Sequence, residues 1–134
     1  MFKEFLDLGR HPIANAFLKK ESDFDDEFFF DLKVCWDEES KLVSIKNFVE
    51  PERIFNEDYP YNTSNSFPMV KHFKEAAEML DKRFEPKSVL EIGSNDGPFI
   101  SNFNKDSSIC VEPCDNFAVK TGDMGYKTYT DFWT

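Results

Sequence analysis

Cysteine, basic residues and long apolar runs are all scarce in this sequence, and each shortage excludes something. Three cysteines, Cys35, Cys110 and Cys114, are an odd number at irregular spacing, so no disulfide framework is expected. Lysine and arginine total 16 against 26 acidic residues, a formal charge of -10. That balance argues against broad contact with nucleic acid or an anionic membrane, because both need clustered cations. It leaves room for a small anionic ligand, which a helix N-terminus holds by its own N–H groups. No apolar run approaches the roughly 18 residues of a membrane helix. Met1 to Arg10 contains no apolar signal segment, so a cytoplasmic, reducing setting is expected. No internal repeat or low-complexity linker is visible.

Apolar material is plentiful by contrast: 40% of the 134 residues are hydrophobic and sixteen are Phe, enough for a packed core. Two patterns divide the chain, at 1–66 and 67–134. The first reads as short strands and turns. Phe5 to Gly9 suits a strand, the acidic run Glu21 to Glu27 a solvated loop, and Phe28 to Trp36 a second strand. Lys41 to Phe48 alternates as a third, joined to the second through the short polar turn Asp37 to Ser40. Pro51 to Phe55 reads as one helical turn.

The second region alternates helix and strand. Met69, Phe73, Ala76, Ala77, Leu80 and Phe84 line one face of a helix capped by Ser66, with Pro68 in its first turn and Pro86 ending it. Ser88 to Gly93 follows as a strand, Gly97 to Asn104 as a helix, and Ser108 to Glu112 as a strand. Asp115 to Met124 suits another helix, and Gly125 to Tyr129 starts a third strand. Such an order implies a parallel sheet in an α/β fold, with an apolar edge after its last strand.

The chemistry-bearing stretch is Glu91-Ile92-Gly93-Ser94-Asn95-Asp96-Gly97, an apolar strand turning into a loop with glycines four apart. Glycine lets backbone approach a ligand without Cβ interference. Asn95 or Asp96 can cap the following helix, whose N–H groups then face the loop. Glu112 ends the next strand, where doubly wound folds place an acid that accepts hydrogen bonds from ribose hydroxyls. From pattern alone a second reading stays open, in which the glycines merely form a tight turn and Glu112 is a surface acid.

These segments resemble S-adenosylmethionine-dependent C-methyltransferases acting on nucleotide-linked deoxysugars. The likeness takes in Val111-Glu112-Pro113, and upstream Leu8-Gly9-Arg10-His11-Pro12-Ile13-Ala14-Asn15 and Asp58-Tyr59-Pro60-Tyr61-Asn62-Thr63-Ser64-Asn65-Ser66. It extends to His72 on the helix and to Gly125-Tyr126-Lys127-Thr128. The implied architecture is a small β-rich module over 1–66, then the first half of a Rossmann-like sheet over 67–134. By the same resemblance Glu91, Gly93, Ser94, Asn95, Asp96 and Gly97 are cofactor-binding, near the methionine end of S-adenosylmethionine, and Glu112 takes its ribose. Tyr59, Tyr61 and His72 are then substrate-binding, near a sugar nucleotide. Read as residues only, the tyrosines are loop aromatics packing on a small core, and His72 is an ordinary helix histidine beside the apolar stripe.

Two departures from the family stand out. Its N-terminal module holds zinc with two C-x-x-C pairs; here the first is absent, and Cys35 is followed by Glu38 where the second thiolate belongs. One thiolate cannot make a four-ligand structural site, so no metal is expected, and Phe28, Phe29, Phe30 and Trp36 are expected to stabilise the module instead. The family also continues beyond the point equivalent to Thr134, through the rest of the sheet and the general base. Three readings follow: a part of a methyltransferase completed by a second polypeptide, a non-catalytic cofactor or nucleotide-binding module, monomeric or homodimeric, or an inactive remnant.

Overall fold

A computed structural model describes all 134 residues, which divide into an N-terminal unit, Met1–Ile54, and a C-terminal unit, Phe55–Thr134. Residues 55–66, grouped with the first region on sequence pattern, thus pack with the second.

The N-terminal unit is an antiparallel sheet in the order β1 (Phe2–Pro12), β2 (Phe29–Asp37), β3 (Val43–Ile45). β1 is longer than the expected Phe5–Gly9 strand and β3 shorter than Lys41–Phe48. Glu4 pairs with Cys35, Leu6 with Val34 and Asp7 with Lys33, so one extra residue bulges between Glu4 and Leu6. Strand side chains alternate, so without that bulge Glu4 and Asp7 would face opposite ways. With it, both join Lys33 and Cys35 on one face. Asp7 Oδ1 accepts from Gly9 N–H at 2.9 Å, fixing a second irregularity where Gly9 takes φ +82°. The acidic run is an exposed 3-10 turn, Glu21–Asp26, and α1 is the single turn Pro51–Ile54.

Little in this unit is buried except Cys35, at 0% exposure. Three of its aromatics carry a cation instead: the Arg53 guanidinium lies 4.4 Å from the Phe28 ring centre, Arg10 5.0 Å from Phe29, and the Lys41 ammonium 5.3 Å from Trp36.

The C-terminal unit begins with an aromatic and polar segment, then α2 (Phe67–Phe84). Ser66 occupies the N-cap position without a side-chain cap bond, and Glu85 ends the helix at φ +47°, its N–H donating to Asp81 O. β4 (Val89–Ile92), β5 (Ser108–Val111) and β6 (Lys127–Tyr129) are parallel, in that order, with α3 (Asp115–Asp123) between β5 and β6. Glu91, Cys110 and Thr128 lie in register on one face. α3 covers that face, its Thr121 Oγ1 2.9 Å from Thr128 Oγ1. The core gathers there: Ile100, Cys110 and Phe117 are fully buried, and the Tyr126 hydroxyl donates to Phe103 O at 3.0 Å.

Two expectations need correction. Gly97 to Asn104 is not a helix but a turn with a short 3-10 segment, Ile100–Asn102. Asn102 Nδ2 donates to Pro98 O and Phe99 O, and Ser101 Oγ to Pro98 O, so side chains occupy carbonyls that helical N–H groups would have used. The apolar edge is also not the last strand. β6 is Lys127-Thr128-Tyr129, whereas the opposite edge, β4, exposes Leu90 and Ile92 at 47% and 53%. No helix is long and apolar enough to cross a membrane.

Candidate functional site

Three segments converge at the C-terminal ends of β4 and β5: the glycine loop 93–97, Glu112, and a polar strap from Tyr59 to Ser64. The loop alternates left-handed backbone, with φ +72° at Gly93, +48° at Asn95 and +87° at Gly97. The glycines serve different ends. A Cβ on Gly93 would meet nothing within 4 Å, so only its backbone angle asks for glycine. A Cβ on Gly97 would sit 3.1 Å from Met124 Sδ and 3.2 Å from Thr121 Cγ2, so here α3 packs against the loop.

Glu112 is where loop and second strand meet. Its Oε2 accepts the Asn95 N–H at 2.6 Å and its Oε1 the Cys114 N–H at 2.9 Å. At 4% exposure the carboxylate is sealed by protein donors. Both bonds come from backbone, and a charged acceptor makes them strong.

Asn95 and Asp96 face the strap. Asn95 Oδ1 accepts from Thr63 N–H at 2.9 Å and its Nδ2 donates to Tyr61 O at 3.0 Å. Asp96 accepts from Ser64 N–H at 3.1 Å and from the Ser64 hydroxyl. The strap is tied to α3 as well, by Asn116 Nδ2 to Tyr59 O at 3.0 Å and by Lys120 to Asn62 Oδ1. Sequence reading did not single out Ser64, Asn62, Asn116 or Lys120 for any role. Their partners lie 32 to 58 residues away, and no local pattern signals a bond of that span.

Tyr59 packs between Phe55 and Phe117, ring centres 5.3 and 6.2 Å away. Tyr61 is 45% exposed, with its carbonyl on the loop. His72 is exposed on α2, its ring 5.7 Å from that of Phe73. An open cavity of about 280 Å³ borders the loop, lined by Asp96, Gly97, Ser64 and Lys74 among others.

Glu91 lies beneath the loop. Its Oε2 is buried without a partner. Burial pushes its carboxyl up to about 7; the Ile100 N–H works against that shift, and the charge of Glu112 adds to it. Ser94 is 2% exposed, beside the Cys110 thiol. Burial raises Cys110, and burial with the charge of Glu112 pushes Cys114 up to about 12, so neither thiol is a ready nucleophile.

The N-terminal unit presents no comparable convergence. Cys35 is its only cysteine, and no group of three or more His, Cys, Asp or Glu is placed to hold a metal. His11 Nε2 is 2.7 Å from Leu8 O, and Glu38 pairs with Lys3 at 2.5 Å. Ion pairs link the strands instead: Lys33 to Asp7 at 3.0 Å and to Glu4 at 3.6 Å, and Lys46 to Glu4 at 3.1 Å. Asp37 accepts from Ser40 Oγ at 2.8 Å, from Ser40 N–H at 3.1 Å and from the Met1 ammonium at 3.2 Å, which together hold its carboxyl far below the ordinary range.

Comparison with known proteins supplies a context for both units. Residues 1–55 match the methyltransferase family model Methyltransf_13, described as "Putative zinc binding domain". C-methyltransferase NovU of Streptomyces niveus is 26% identical over 135 residues, covering 93% of this chain. The chain spans 31% of that protein's length. Both findings support a relationship to methyltransferases. The zinc description does not fit the residues present, because a structural zinc site takes four ligands and Cys35 has no second thiolate beside it.

Proposed function

We propose that Phe55–Thr134 is the opening part of a Rossmann-like domain that binds S-adenosylmethionine, in a C-methyltransferase-like protein acting on a nucleotide-linked sugar. The observation that carries this reading is the 2.6 Å bond between Asn95 N–H and Glu112 Oε2. It puts a glycine loop with three left-handed residues and a strand-end carboxylate within reach of one ligand, at the ends of parallel strands where α/β folds bind nucleotides. Relatedness to a C-methyltransferase along nearly the whole chain supports the same ligand class.

When bound, S-adenosylmethionine supplies an electrophilic methyl on a sulfonium. The chain's own residues would bind and orient: Glu112 through the ribose hydroxyls, and the Gly93–Gly97 backbone through the methionine end. Tyr61, exposed on the strap, is the group offered toward an acceptor. Carbon methylation also needs a base positioned at the reacting carbon. The buried, protonated thiols are unsuited to that, and we assign the base to a second polypeptide. The same polypeptide would lay a strand along β4, where Leu90 and Ile92 stand exposed beside an apolar hollow of about 300 Å³ lined by Leu80, Phe84 and Phe99.

Calorimetric titration with S-adenosylmethionine and S-adenosylhomocysteine tests the reading. Saturable binding that Glu112→Ala abolishes is expected. A folded chain that binds neither ligand would remove the proposal's basis.

A further inference from the structure

Every oxygen that Glu112 would offer a ligand already holds a protein N–H, and the two bonds differ in kind. Cys114 N–H is two residues along the same turn and can stay in place while a ribose diol binds. Asn95 N–H comes from the opposite side of the cleft, from the glycine loop. Each oxygen keeps a lone pair, but with Glu112 only 4% exposed that capacity is closed off, and Asn95 is the donor whose withdrawal would open it to a diol. Asn95 is also what the strap hangs on, through Thr63 N–H and Tyr61 O. One residue therefore carries the bond that seals the carboxylate and the bonds that place the strap.

We infer that Asn95 is a positioning residue that couples ligand binding at Glu112 to release of the Tyr59–Ser64 strap. The inference rests on the adenosyl-binding reading of the site and deepens it. In the closed arrangement Asn95 and Asp96 together hold four polar groups of the strap: Tyr61 O, Thr63 N–H, Ser64 N–H and the Ser64 hydroxyl. When the ligand takes Glu112, Asn95 swings away and these bonds loosen in concert. Tyr61 then moves with them, so the strap is set for an acceptor only after the adenosyl ligand is in place.

The coupling gives a sign that a purely structural strap does not. If binding breaks the strap's anchors, weakening an anchor remote from Glu112 removes part of the work and tightens binding. Ser64→Ala deletes the hydroxyl bond to Asp96, and Asn116→Ala, at an exposed position on α3, deletes the tie to Tyr59 O. Each is expected to raise affinity for S-adenosylhomocysteine by about three- to tenfold, as fits partial loss of one hydrogen bond. In hydrogen exchange, the Thr63 and Ser64 amides of the wild-type chain should exchange faster with ligand than without. Unchanged or weaker binding by both folded variants, or strap amides that gain protection on ligand addition, overturns the coupling while leaving the site intact. Failure of wild type and both variants to bind at all overturns the site reading, and the coupling with it.

Discussion

The two units of this chain solve the problem of a small sheet in opposite ways. The C-terminal unit buries Ile100, Cys110 and Phe117 completely and hangs its loops on that core. The N-terminal unit buries little beyond Cys35 and leaves Phe2, Phe5, Leu42 and Phe48 more than half exposed. Its strands are joined by charges on one face, with cations laid over Phe28, Phe29 and Trp36. One unit removes apolar surface from water, while the other relies on strand pairing and half-buried side chains, with paired charges that remain in water adding to it. Solution conditions should therefore act on the two separately. Trp36 and Trp133 lie one in each unit, so Trp→Phe at either leaves a probe for the other.

The largest effect is expected from Phe117→Ala, which truncates the largest fully buried side chain of the C-terminal unit. A loss of about 3–5 kcal/mol is typical of such a truncation, and denaturant melting followed at Trp133 should register it. The Trp36 transition should stay where it is. If both transitions fall together, the units are not separately held.

A smaller and pH-dependent effect is expected from Glu91→Gln. Folding raises this carboxyl to about 7 from 4.5, so the folded state keeps the proton more tightly than the unfolded one. Its stabilisation is complete below about 4.5 and is lost as pH rises through 7. Replacing the acid by a neutral amide should therefore stabilise the C-terminal unit at pH 8, by on the order of 2–3 kcal/mol, and change little at pH 4.5. An equal difference at both values would mean that charge burial is not the cause.

The N-terminal unit should show the opposite pH sign. Glu4, Asp7 and Asp37 are all lowered by hydrogen bonds and nearby cations, so their contribution is present above their ordinary values and fades as pH falls below about 4. Lys33→Met, which severs Glu4 and Asp7 from β2, should lower the Trp36 transition modestly and reduce its sensitivity to added salt. A chelator should leave that transition unmoved. A chelator-induced drop would restore the metal that the side chains lack a place for.

How much of this was legible beforehand depends on whether a pattern was local. α2 declared itself by its apolar spacing, and the strands of both sheets by their runs and turns, within a few residues at each end. The segment after Gly97 looked helical, yet Ser101 and Asn102 turned their side chains onto the carbonyls and stopped it. That the glycine loop and Glu112 belong together was legible from their pattern, and the Asn95–Glu112 bond joins them. That Asn95 and Asp96 spend their side chains on residues 61–64 was not, since as loop residues before a presumed helix they read as caps. Tyr59 packs as a core aromatic would, against Phe117. Bonds across thirty residues leave no trace in composition or periodicity.

The bare flank of β4 has a colloidal side. Leu90 and Ile92 sit on a chain of net charge -10, and at neutral pH mutual repulsion keeps such patches apart. Near the sequence pI of about 4.6 that repulsion vanishes, just where Glu91 is protonated and its unit best held. The pH that suits the C-terminal unit is thus the one that suits the solution least. Gentle acid should make the C-terminal unit harder to unfold and the chain easier to precipitate.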